Sequence, residues 1–230
     1  NARAADLLLN PNPNPNPNKP NPNPDGGTLA RLTPTHDLSA DQICALAEDI
    51  GGEAAAERLE VIVHQHLPVF HTEHCVFCRF LSDGNSYKDC GHPCESHTMH
   101  LRDQAGADHL VLADMGCRNT VFNAKAQSAL PVLEDLLSAG LRRMRIELVD
   151  EPAAAVPVLL EAYRGAAEAI LSFESDAEIA VSDAWAVLET LPDANGRAQG
   201  LDLGSLASRT EVKRKDMKRT AYQEKRRKSN

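Results

Sequence analysis

The chain has 230 residues, 42% hydrophobic but only 4% aromatic, and carries a formal net charge of −9 at pH 7. That length holds one substantial domain, two at most, with an aliphatic core. No run of about 18 apolar residues is present, which excludes a transmembrane helix, and the three leucines at 7–9 are too few for a signal-peptide core. An intracellular location is therefore expected, where the six cysteines stay reduced instead of forming a disulfide framework.

Residues 1–27 read as a disordered spacer. Positions 10–24 run NPNPNPNPNKPNPNP, and proline at this density removes backbone donors and pushes its neighbours toward extended geometry. The first residue is Asn rather than Met, which points to processing or an incomplete gene product. Segment 29–34 reads as a strand. A helix capped by Asp37 or Ser39 follows, with Ile43, Leu46, Ala47 and Ile50 on one face and Gly51-Gly52 as its stop. Segment 58–66 is a β-branched strand and 109–114 another. An amphipathic helix spans 128–141, a fourth strand 144–150, and helices cover 154–173 and 176–190.

Alternating strands and helices with apolar strands predict an α/β protein with a parallel sheet. The spacing suits part of a (β/α)8 barrel of the TIM type. A complete barrel takes about 250 residues, whereas 28–208 offers four clear strands, so the amino-terminal strands look missing, to be completed by a further segment or a partner chain. No G-x-G-x-x-G follows a strand, so a dinucleotide site has no support. Residues 209–230 form a basic tail with ten Lys/Arg against three Asp/Glu, while the other 208 residues carry 14 basic and 30 acidic side chains. Such a tail is either a solvated end or an arm for RNA phosphates.

Five of the six cysteines fall in the stretch 67–120: Cys75 and Cys78 in HTEHCVFC, Cys90 and Cys94 in DCGHPC, and Cys117 in MGCRNT. Dense thiols in a reduced chain predict a bound metal. The spacings suit tetrahedral zinc stapling a long loop, and equally an iron–sulfur cluster on four cysteines. Segment 67–107 is longer than an ordinary strand–helix connection, and such loops usually carry function. Cys44, inside a predicted helix, reads as a small buried hydrophobe. His92, His71 and His74 could serve as ligands, although His-Thr-Glu-His is not the zinc-protease order H-E-x-x-H.

These strings, together with LTPTHDL (32–38), VIVHQHLPVF (61–70) and RIELVDE (145–151), resemble peptidase family U-32. That collagenase-like family also contains oxygen-independent hydroxylases. The resemblance implies a (β/α) barrel with a 4Fe–4S cluster on Cys75, Cys90, Cys94 and Cys117, leaving Cys78 as a spare candidate. It also implies hydroxylation of an RNA base or a quinone-type ring, with prephenate as the oxygen donor.

A dicarboxylate donor needs the planar fork of arginine. Arg118 is the first choice and Arg102 the second, unless both are tied to Asp103 and Asp114. His71, Glu73 and His74, beside Cys75, are the candidates for proton transfer, and Asp114 could orient an arginine or histidine. Two other readings stay open: a peptidase, with Cys78 the one thiol outside coordination, and a zinc-stapled barrel module without turnover. No G-x-S-x-G elbow is present.

Overall fold

The computed structural model describes residues 30–208, apart from 115, 174 and 199. The expected spacer and basic tail lie outside these residues. Helix α1 (Ala40–Ile50) begins at Ser39. The Ser39 hydroxyl accepts the Gln42 N–H at 3.4 Å and the Gln42 side chain accepts the Ser39 N–H at 3.1 Å, a reciprocal cap. It buries Ile43, Leu46 and Ala47 and stops at Gly51, whose φ of +94° suits glycine. Then come α2 (Gly52–Arg58), β1 (Glu60–Gln65), β2 (Pro68–Thr72), α3 (Val76–Leu81), β3 (Met99–Arg102), β4 (Asp108–Ala113), β5 (Asn119–Phe122) and β6 (Ala126–Ser128). Helix α4 (Leu133–Ser138), β7 (Arg143–Ile146), α5 (Ala155–Leu171), α6 (Ala177–Glu189) and β8 (Leu201–Asp202) complete the order.

The strands form two sheets. The first is mixed, in the order β7-β1-β6-β8: β1 runs parallel to β7 and antiparallel to β6, and β6 runs parallel to β8. Helices cover it, and the main core fills the space between. Leu59, Val61 and Val63 from the β1 segment meet Leu130, Leu133, Leu136 and Leu137, with Leu159 and Tyr163 from α5. The second sheet is an antiparallel meander, β2-β5-β4-β3, which folds into a separate lobe carrying the cysteines. Its own core is small: Phe77, Val111 and Val121 are buried, with Met99 and Leu101 packed alongside.

The protein is α/β as expected, but helices and strands do not alternate strictly, since β3 to β6 follow one another; the sheet is mixed rather than parallel, and no closed barrel is found among the described residues. The expected strand at 29–34 contributes one parallel bridge, Leu32 to Leu59, before Pro34 interrupts it. Segment 109–114 is a strand, yet it pairs antiparallel on both sides. The reason is connection length: about five residues separate β3 from β4 and β4 from β5, enough for hairpins and too few for a parallel crossover. What read as one long loop from 67 to 107 holds β2, α3 and β3. Among the described residues no helix is long and apolar enough to cross a membrane.

Candidate metal centre

The cysteine lobe is assembled from three loops. Cys75 leaves β2 as the N-cap of α3, its sulfur accepting the Cys78 N–H at 3.5 Å. The Cys78 thiol donates to the Gly84 carbonyl at 3.3 Å. Loop 82–90 is wound around the Asp89 carboxylate, which accepts the Asn85 N–H (3.1 Å), the Ser86 N–H (2.7 Å) and the Ser86 hydroxyl (2.9 Å). The Ser86 and Asn85 amides hold that carboxyl below the ordinary carboxylate range. Gly84 is required here, since a Cβ would lie 2.7 Å from the Cys90 Cα and closer still to the Asp89 carbonyl.

After Cys90, two left-handed residues, Gly91 (φ +69°) and His92 (φ +55°), turn the chain into a single 3-10 turn, Pro93–Glu95, that presents Cys94. Both His92 ring nitrogens are engaged, Nε2 with the Tyr87 carbonyl at 2.9 Å and Nδ1 with Glu95 at 3.2 Å. These bonds raise its pKa and leave it no nitrogen for a metal.

Cys117 sits in the tight turn between β4 and β5. Asp114 builds that turn by accepting the Gly116 N–H (2.8 Å) and the Arg118 N–H (3.2 Å), and Cys117 takes a φ of +57°. Asn119, fully buried, ties this turn to the first cysteine loop. Its Oδ1 accepts the Val76 N–H at 2.6 Å, and its Nδ2 reaches the Cys75 sulfur at 3.9 Å.

The result is one cleft of about 1,100 Å³ lined by Cys75, Cys78, Cys90, Cys94 and Cys117. Burial pushes the Cys78 thiol up, with Cys90 and Cys75 adding to it. Burial likewise raises Cys94, helped by Cys75 and Cys117. A bound metal reverses the sign, because its thiol ligands are deprotonated outright. The donor set is soft and fits iron–sulfur or zinc chemistry. Among the described residues, no three His, Cys, Asp or Glu side chains converge at single-ion coordinating positions.

Glu73, His74 and Asp114 stand on the cleft walls. His71, on β2, bonds the Thr120 hydroxyl at 2.8 Å and does not line the cleft. Arg118 pairs with Asp114 at 3.0 Å. Arg102 also stays off the cleft, held by Asp108 through two bonds of 2.7 and 2.9 Å, so its partner is Asp108 rather than Asp103. Together with Arg197, it holds Asp108 far below the ordinary carboxylate range. Cys44 lies on α1, partly buried against the main core, and burial raises its thiol.

A second polar group escaped the sequence reading. His64 and His66, two apart at the end of β1, both place Nε2 3.1 Å from the Glu151 Oε1, and all three side chains are buried. The signal was present. Residues i and i+2 of a strand share a face, and two histidines on the inner face of an apolar strand need a buried partner.

The described residues thus form a mixed-sheet α/β scaffold with a thiol-lined cleft on a small antiparallel sheet. The family model for Peptidase family U32 matches residues 28–197, and the chain belongs to that family. No curated protein and no solved structure matched the chain.

Proposed function

We propose that this chain is an iron–sulfur protein of the U32 family that hydroxylates an RNA base or a quinone-type ring without molecular oxygen. The carrying observation is that cysteines from three separate loops line one cleft. Cys75, Cys90, Cys94 and Cys117 would hold a 4Fe–4S cluster, with Cys78 as the fifth thiol. A 4Fe–4S cluster takes one thiolate per iron, and the cleft holds the four that this needs. When bound, such a cluster would supply one-electron chemistry.

The chain's own residues set what else can happen there. Glu73 and His74, exposed on the wall beside Cys75, are placed to exchange protons with a bound substrate. Arg118 binds a carboxylate-bearing oxygen donor such as prephenate only by exchanging Asp114 for it. The Arg118 guanidinium now makes one contact with Asp114 and does not line the cleft, so the side chain would also have to turn toward the donor. The described part of the cleft carries more carboxylates than cations, with Glu73, Asp83, Glu95 and Asp114 facing Arg79. RNA phosphates would have to be met by the tail at 209–230, through its Lys/Arg excess.

The mixed sheet, with β1, β7 and the Leu32 bridge all parallel, is consistent with one sector of a (β/α) barrel that a further segment or chain completes. Reduced thiols in such a site belong to an intracellular setting.

Anaerobic reconstitution with iron and sulfide tests the reading. A brown protein with broad absorption near 400 nm, bleached by dithionite, is the expected result. A colourless protein that takes up only zinc would replace it with the zinc-stapled module. The peptidase reading has less support, since among the described residues no cleft thiol is paired with a histidine. Turnover of casein by the chain would revive it.

A further inference from the structure

The chain crosses between its two sheets twice in neighbouring places. It leaves β1 for β2 through His66-Leu67 and returns from β5 to β6 through 123–125. The two crossings lie side by side. The Asn123 N–H donates to the Leu67 carbonyl at 2.8 Å, and the His66 Nδ1 lies 2.8 Å from the Asn123 carbonyl.

The proton inventory of His66 follows from its partners. A backbone carbonyl only accepts, so Nδ1 carries a hydrogen. Nε2 faces the Glu151 Oε1 at 3.1 Å. The other Glu151 oxygen accepts the Val149 N–H (2.8 Å) and the Asp150 N–H (3.1 Å), the arrangement of an ionised carboxylate. With Glu151 ionised, Nε2 carries a hydrogen as well, and the ring is then an imidazolium. His64 shares the same carboxylate oxygen through its Nε2. Its Nδ1 faces the Tyr163 hydroxyl at 3.3 Å, which in turn bonds Ser128 and the Val63 carbonyl.

We propose that His66, as a buried imidazolium paired with Glu151, is the pin of the hinge between the mixed sheet and the cysteine lobe, and that losing its proton loosens the lobe. The proposal does not depend on which metal, if any, the thiols hold. The groups facing the pin come from several elements. Glu151 and Asp150 follow β7, His64 lies on β1, Tyr163 on α5, and Asp193 lies after α6. His100 on β3 approaches Asp150 at 3.9 Å, and His109 on β4 bonds the Phe122 carbonyl beside the crossing. A cavity of about 20 Å³ touches His66, Asp150 and Asp193, room for a single water.

Burial opposes the charge on His66, and the bonds to Glu151 and Asn123 outweigh it, so its pKa stands above the ordinary 6.5. Burial likewise opposes the Glu151 charge, and His64 and His66 outweigh it, leaving that carboxyl far below its ordinary 4.5. A histidine raised on folding contributes stability that is complete below 6.5 and is lost as pH climbs through the folded value. The carboxylate contributes above 4.5 and loses its share as pH falls through its folded value. The pin therefore holds best between these two limits, and the alkaline side is where it opens.

Long-range ¹H–¹⁵N spectra of the full-length protein read the ring directly. Both His66 nitrogens should be protonated at pH 6.5. A neutral tautomer with one bare nitrogen at that pH would overturn the proposal, and this measurement needs no variant. Amide exchange supplies the second arm. Between pH 6.5 and the folded His66 value, opening at the Asn123 amide should rise by up to about tenfold for each pH unit and then level off, while the Ala129 amide, which follows β6 and donates to the Val63 carbonyl, should show no such rise. Equal pH dependence at the two amides would overturn it. His66→Gln should abolish the difference while His109→Gln keeps it, and loss in both variants would count against the pin.

Discussion

The mixed sheet and the cysteine lobe each contain four strands, yet different forces hold them. The mixed sheet closes over a continuous aliphatic core, with Leu59, Leu133, Leu136, Leu141 and Leu159 entirely removed from water. The lobe's buried core cluster is only Phe77, Val111 and Val121, with Leu110 and Pro93 buried outside it. Three such side chains contribute only about 1.5–3 kcal/mol each, which is thin support for a meander and a long loop. What the lobe has in place of a large core is thiols and hydrogen-bonded turns, and on the proposed function a bound cluster would add to its stability. Exposed apolar side chains do not separate the two regions: Val69, Phe70, Phe80 and Leu112 stay on the lobe's surface, and Leu148, Leu160, Phe173 and Ile179 on that of the larger body.

If that contrast is right, substitutions should divide by lobe. The largest effect falls on the thiols. Cys94→Ser or Cys117→Ser abolishes cluster assembly, while Cys44→Ser leaves it intact, as read by iron and sulfide content. An intact cluster in both of the first two variants would defeat the ligand assignment. Leu133→Ala, in the main core, costs about 2–5 kcal/mol of global stability without changing metal stoichiometry. Chemical denaturation followed at Trp185 on α6 measures it. Asn119→Ala strands the Val76 amide and frees the Cys75 loop. It should cost about 1–3 kcal/mol in the lobe alone, seen as faster exchange in α3 and β5 with α1 unchanged. Ser39→Ala removes a helix cap for about 1 kcal/mol, confined to α1. Arg102→Met, an exposed pair with Asp108, should change stability by less than about 1 kcal/mol and leave metal uptake alone. A large loss of uptake there would restore Arg102 to the site.

The sequence was most legible where the aliphatic pattern was strongest. Helices at 154–173 and 176–190 and the strand at 58–66 fall within a few residues of α5, α6 and β1, and Ser39 is the cap of α1. Periodicity identifies such elements because burial dictates it. The lobe resisted the same reading. In β3, Met99-His100-Leu101-Arg102 alternates over only four residues, and β5 hides inside the motif around Cys117, so neither stood out and the antiparallel order went unseen. The cysteines could be grouped from spacing and type, but not their common cleft, which depends on Asn119 and Asp89 tying separate loops together. His64, His66 and Glu151 were legible only in retrospect, since nothing in one sequence pairs residues 85 positions apart.

Hydrogen exchange on anaerobically loaded protein, compared with the same protein stripped of metal, addresses the central claim most directly. The account predicts that stripping exposes the amides of β2, β3, β4 and β5 to rapid exchange while those of β1 and β7 stay protected. Equal protection of the lobe in both preparations, with no metal retained in either, would contradict it.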